Sequence, residues 1–143
     1  MLQDGFDFLR FIEAQDRVYA SVLDELRAGD KRSHWMWFIF PQIKGLGTSH
    51  TAQAFAISSC EEARAYAEHP TLGARLRECT ALVMNVEGRT AEEIFHYPDY
   101  LKFRSSMTLF GQCAADGALF HDALVKYFDG ESDERTLDLL ARR

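Results

Sequence analysis

The residues best able to do chemistry gather around one string, Ser33-His34-Trp35-Met36-Trp37-Phe38-Ile39-Phe40-Pro41-Gln42. His34 titrates near neutral pH and is a candidate acid or base. Lys31, three residues earlier, can hold an anion. Trp35 and Trp37 offer faces on which a ring can stack, and Gln42 closes the string with a carboxamide. Just downstream, Gly45-Leu46-Gly47-Thr48-Ser49 is a glycine-rich loop ahead of a helix-prone stretch, and backbone amides at such a junction can bind an anion. Position 50 is His, so no G-x-G-x-x-G is completed, and no G-K-[ST] follows. The competing reading is a plain turn with Ser49 as a helix N-cap.

Two further groups qualify. His69-Pro70-Thr71-Leu72-Gly73-Ala74-Arg75 is a turn into a helix that can bring His69 and Arg75 to one site. The alternative is that His69 caps the preceding helix and Arg75 makes a surface ion pair. On the helix after Pro98, Lys102, Ser105 and Gln112 lie off the apolar seam and are either solvated or pocket-facing. Together these groups sketch a small-ligand site. Lys31, Arg75 and Lys102 would grip an anionic group such as a phosphate, Trp35 or Trp37 would stack on a ring, and His34 or His69 would move a proton. A nucleotide or NAD-derived metabolite fits that chemistry. The site requires the side chains to converge on one cleft. The other reading is a non-catalytic protein-interaction module whose polar positions build internal networks.

Other chemistries lack their residues. The five His never fall at H-x-x-x-H or H-E-x-x-H spacing, so no metal site is expected. No G-x-S-x-G and no cofactor motif is present. Cys60, Cys79 and Cys113 are odd in number, far apart and free of ligand spacing, which predicts buried thiols in a reducing compartment. A net charge of -6 argues against nucleic-acid or anionic-membrane surfaces. The longest apolar run, Trp35 to Phe40, is too short to span a bilayer. The N-terminus, Met1-Leu2-Gln3-Asp4, has neither a basic nor an apolar leader region. The expectation is a cytoplasmic protein.

The elements that must position these residues are helices. Asp7 can cap a long first helix, with Phe8, Ile12, Tyr19, Val22, Leu23 and Leu26 on one stripe and Gly29 ending it. Ser59 with Glu62, and Thr90 with Glu93, read as capping boxes. Thr71 can cap a helix whose buried side carries Leu72, Leu76, Cys79 and Val83. After Pro98 the spacing of Tyr100, Phe103, Met107, Phe110 and Ala114 marks a buried seam. Gly117 breaks the chain, Asp129-Gly130 stops the next helix, and a last one starts near Ser132. No alternating run is long enough for a sheet. The prediction is all-α: one domain over residues 1–143, a compact array of six to eight helices. Within it Trp35 to Phe40, which has no polar face, is the central plug of the core. Ser33 can cap a short helix there, and Pro41 forces Phe40 out of helical geometry. For Lys31, His34 and Gln42, at the edges of the plug, core support and pocket lining both fit.

The whole chain resembles the family catalogued as domain of unknown function 1810. The match rests on Ala14-Gln15, Tyr19, Glu25-Leu26, Gly29, Lys31, Ser33 to Gln42, Gly45-Leu46-Gly47 and Ser49. It continues through Glu62-Ala63, Tyr66, His69-Pro70, Leu72-Gly73, Arg75-Leu76, Pro98-Asp99, Lys102, Ser105 to Phe110, Asp133 and Thr136-Leu137. The resemblance implies a small multihelical fold and no particular activity. His96 stands where the family usually has Gly, which sets it apart from any shared site. The candidate ligand-binding set is Lys31, His34, Trp37, Gln42, Ser49, His69, Arg75, Lys102 and Ser105, with His34 and His69 as candidate catalytic residues and a small anionic ligand as the partner.

Overall fold

A computed structural model describes residues 5–142, and the N-terminal residues read above for a leader lie outside it. The described chain is all-helical apart from one isolated bridge, and it has ten helices rather than six to eight. The difference has two sources. The long first helix is two, α1 (Leu9–Asp16) and α2 (Tyr19–Ala28). Three very short helices also count: α3 (Met36–Ile39), α4 (His50–Ala54) and α7 (Ala91–Phe95). The others are α5 (Cys60–Glu68), α6 (Leu72–Met84), α8 (Asp99–Cys113), α9 (Ala118–Phe128) and α10 (Glu134–Ala141). No helix among the described residues is long and apolar enough to cross a membrane.

The break after α1 follows from a polar side chain taken inward. Gln15 is buried, and its amide donates to the Phe38 carbonyl at 2.8 Å and to the Tyr66 hydroxyl at 3.0 Å. Satisfying that amide fixes α1 against the Trp35–Phe40 string, and α2 leaves in a new direction to pack on α6. Asp7 does not cap α1, which opens at Phe8 without a side-chain cap. Gly29 ends α2 as expected, in the left-handed region at φ 67°.

The string itself behaves as a plug. Trp35, Met36, Phe38, Ile39 and Phe40 are buried, and Phe40 meets Phe95 and Phe103 edge to face. Phe40 leaves helical geometry before Pro41, as the proline requires. Ser33 does not cap α3. Its hydroxyl donates instead to Glu25 Oε2, and Glu25 Oε1 accepts the Trp35 indole N–H at 3.0 Å and the backbone N–H groups of Arg32 and Ser33. Burial alone raises the Glu25 carboxyl, but these donors outweigh it and hold it below the usual glutamate value. Trp37 is the exception in the string. It is half-buried and faces outward.

Residues 44–56 form an excursion clamped at its base. Lys44 N–H donates to the Ile57 carbonyl and Ile57 N–H to the Gln42 carbonyl, both at 2.8 Å, which makes the bridge between Ile43 and Ile57. The excursion carries the glycine loop and α4. Arg10 anchors its far end by donating to the carbonyls of Ala54 and Ala56, each at 3.0 Å.

The cysteine reading is corrected. Cys60 and Cys113 are joined by a disulfide, and only Cys79 is a free, buried thiol. The partners lie 53 residues apart and meet because the start of α5 packs against the end of α8. Local spacing carries no signal of such a bond. The odd count and wide spacing therefore give no support to a reducing compartment.

His96 explains a departure from the resembled family. Its backbone sits at φ 68° and ψ 166°, a region essentially reserved for glycine and worth about 1–3 kcal/mol of strain in other residues. Its Nε2 lies 2.8 Å from Asp30 Oδ1, a contact glycine lacks.

Candidate functional site

The site is built on the N-terminal half of α8. Asp99, in its first turn, serves two ammoniums. Oδ2 pairs with Lys31 Nζ at 2.7 Å and Oδ1 with Lys102 Nζ at 3.2 Å. Each lysine also lies over an indole, Lys31 at 5.0 Å from the Trp35 ring and Lys102 at 4.6 Å from the Trp37 ring. Lys31 is buried and gives a second hydrogen bond to the Ser33 carbonyl. Lys102 is more open and reaches a cleft.

That cleft, of about 240 Å³, lies between α8 and the 44–56 excursion. Trp37, Leu46, Phe55, Pro98 and Leu101 give it mostly apolar walls. Gln42, Lys102, Ser105 and Arg135 supply polar groups. The Ser105 hydroxyl lies 3.1 Å from both the Leu101 carbonyl and Asp133 Oδ2. Asp133 is itself occupied as the N-cap of α10, accepting from Thr136 N–H and the Thr136 hydroxyl. Arg135, one residue into α10, crosses the cleft to the Gly45 carbonyl at 3.2 Å. Lys102 and Arg135 stand on the lining against the single carboxylate of Asp133. The lining is thus net positive in a chain of net charge -6.

Of the nine expected site residues, the fold brings Trp37, Gln42, Lys102 and Ser105 onto this cleft. Lys31 joins them indirectly, through Asp99. Ser49 is the N-cap of α4, accepting from Ala52 N–H at 3.1 Å, as the plain-turn reading has it. His34 is exposed and does not line the cleft. Arg75 is elsewhere, donating to Gln15 Oε1 and Asp16 Oδ1 with its guanidinium over Tyr19. His69 also stands apart. It is the C-cap of the helix before it, its N–H donating to the Tyr66 carbonyl at 3.2 Å, and its Nδ1 also accepts from the N–H groups of Thr71 and Leu72 at 3.1 Å, at the start of the helix that follows. The side chain of Thr71 makes no cap.

The His69 lone pair is committed to the backbone, and burial holds the ring below its usual value of 6.5. A depressed histidine contributes stability that is present above its unfolded value and lost as pH falls through the folded one. The urea midpoint is therefore expected to drop between pH 7 and about pH 5.5. His69→Asn, which can cap but not titrate, should flatten that drop. An equal slope in the variant would remove His69 as its cause.

Sequence reasoning missed Arg135 and the double role of Asp99. Arg135 sits 90 residues from Gly45, and nothing local marks it. Asp99 stood out only in the Pro98-Asp99 pair on which the family resemblance rests. Among the described residues, no group of three or more His, Cys, Asp or Glu is placed to hold a metal ion.

The comparisons agree with the fold and are silent on chemistry. A crystal structure of the conserved hypothetical protein Rv1873 from Mycobacterium tuberculosis is 56% identical, covers 95% of this chain and 97% of its own, and superposes with a TM-score of 0.94. No curated protein matches. A family model described as "Protein of unknown function (DUF1810)" matches residues 5–140, and the chain belongs to that family.

Proposed function

We propose that the cleft between α8 and the 44–56 excursion binds a small anionic ligand. One observation carries this reading: Lys102 and Arg135, against one committed carboxylate, stand on a mostly apolar concavity of an acidic protein. Asp99 neutralises only one of its two lysines, which leaves an uncompensated positive charge at the cleft edge. The reading is binding rather than catalysis. Neither His34 nor His69 lines the cleft, and Ser105 has no histidine partner to activate it.

The test is a thermal-shift screen of small carboxylates, inorganic phosphate and nucleotides against the protein and Lys102→Met. A ligand at 100 times its Kd adds about 2.7 kcal/mol of stability. The expected result is a rise in Tm that Lys102→Met abolishes. Silence across the panel favours a non-catalytic protein-interaction module. That second reading draws on Tyr97 and Leu101, large apolar side chains left 72% and 39% exposed, the latter on the cleft lining.

A further inference from the structure

Resting on that reading, we infer that the ligand class is a small aromatic carboxylate, one ring bearing one acid group, rather than a full nucleotide. Three observations carry the class. The first is size. The cleft measures about 240 Å³. That is below the roughly 300–1,000 Å³ of sites for drug-sized ligands. A single ring with an acid group suits that volume better than a base, ribose and phosphate together.

The second is how the glycine loop holds Arg135. The glycine loop packs closely on α4 and binds Arg135 through a carbonyl. A Cβ at Gly47 would come 2.6 Å from the Ala52 Cβ, so glycine is required there by close approach to α4. Ser49 takes the Ala52 N–H. Gly45, at φ 110°, gives its carbonyl to Arg135. The loop therefore meets Arg135 with a carbonyl acceptor, which holds the guanidinium on the cleft lining as a cation for the ligand.

The third is the pairing of wall and charge. Trp37, Leu46 and Leu101 form an apolar surface for a ring. Lys102 and Arg135 are the cations for the carboxylate, and Arg135 spends one N–H on Gly45, leaving the rest of its planar fork. The Gln42 carboxamide and the Trp37 indole N–H have no hydrogen-bond partner among the described residues and lie on the same lining. They can orient the acid or a ring substituent.

The experiment uses calorimetry and Trp fluorescence on the full chain, with benzoate, phenylacetate and indole-3-carboxylate as probes. Benzamide, AMP and inorganic phosphate are the controls. Trp35 is fully buried, so a ligand-dependent change should come from Trp37 and vanish in Trp37→Phe. At least one carboxylate is expected to bind saturably, about tenfold more weakly to Lys102→Met and to Arg135→Gln. Benzamide should not bind. Equal binding of benzamide overturns the inference, because the cations would then play no part. Preferred binding of AMP or phosphate, lost in Lys102→Met, overturns the carboxylate class while leaving an anion cleft standing. No binding of any probe at about 10 mM defeats both readings. Arg135 is exposed, so its variant should fold even if the Lys102 variant is weakened.

Discussion

Opening the Cys60–Cys113 disulfide is expected to lower the free energy of unfolding by about 4 kcal/mol. The bond closes a loop of 53 residues, and chain-entropy arguments place a loop of that length between the roughly 3 kcal/mol of a short loop and the 4.7 kcal/mol of a 100-residue one. Against a typical domain stability of about 5–15 kcal/mol this is a large fraction. The bond ties the start of α5 to the end of α8, two helices whose packing runs through the core. Cys60→Ser is the cleaner variant, since Cys113 is buried and tolerates a thiol better than a hydroxyl. Urea unfolding of Cys60→Ser should match the parent protein in reductant. Cys79→Ser should respond to reductant as the parent does, because burial pushes the Cys79 thiol up to about 12 and keeps it out of exchange. If Cys60→Ser unfolds with the oxidised parent's midpoint, the bond is not a stabilising tether.

Asp99→Ala is expected to cost about 3–5 kcal/mol, far more than Lys102→Met. Removing Asp99 strips a buried ammonium of its carboxylate partner at 2.7 Å and leaves Lys31 with the Ser33 carbonyl and the Trp35 ring face. The acid at the start of α8 adds a helix-dipole contribution of about 0.3–1 kcal/mol. Lys102→Met, by contrast, leaves the Lys31–Asp99 pair intact and keeps an apolar stem over Trp37. The double variant Lys31→Met/Asp99→Asn should recover most of the loss, because it removes the stranded charge together with its partner. A loss below about 1 kcal/mol for Asp99→Ala, in denaturant melts, would show that Lys31 is adequately solvated without it. The same comparison bears on the cleft. Asp99 holds Lys102 over Trp37, so a folded Asp99 variant should lose ligand affinity as Lys102→Met does.

Much of the local structure was legible in the residues. Thr90 and Glu93 do form a reciprocal capping box, with the Glu93 side chain on the Thr90 N–H at 2.9 Å and the Thr90 hydroxyl on the Glu93 N–H at 3.1 Å. Ser59 takes the Glu62 N–H, but Glu62 turns to Ser58, so that box is half made. Gly29, Gly117 and Asp129-Gly130 stop or start helices where the pattern puts them. These features are decided within four residues of chain, and a sequence displays them directly.

The site was legible only in part, for a reason its residues make plain. Residue type marked Lys31, Trp37, Gln42, Lys102 and Ser105 as polar or amphipathic groups that helix formation does not need. Type could not separate them from His69 and Arg75, whose donors and acceptors are consumed by a helix start and by Gln15. Whether a polar side chain is spent on the fold or left facing a ligand depends on which neighbours the fold brings to it, two or three residues away for His69 and 60 for Arg75.

The SHWMWFIFPQ string shows the same division at the smallest scale. By itself the sequence placed the Trp35–Phe40 run in the core, since an apolar run with no polar face has nowhere else to go, and five of its six side chains are buried there. Tertiary structure alone decided that the sixth, Trp37, faces outward beneath Lys102. It also decided that Asp99 joins two lysines, that Arg135 reaches Gly45, and that two cysteines meet. Each of these contacts joins segments well separated in the chain, and burial favours compactness without specifying which distant groups it brings together.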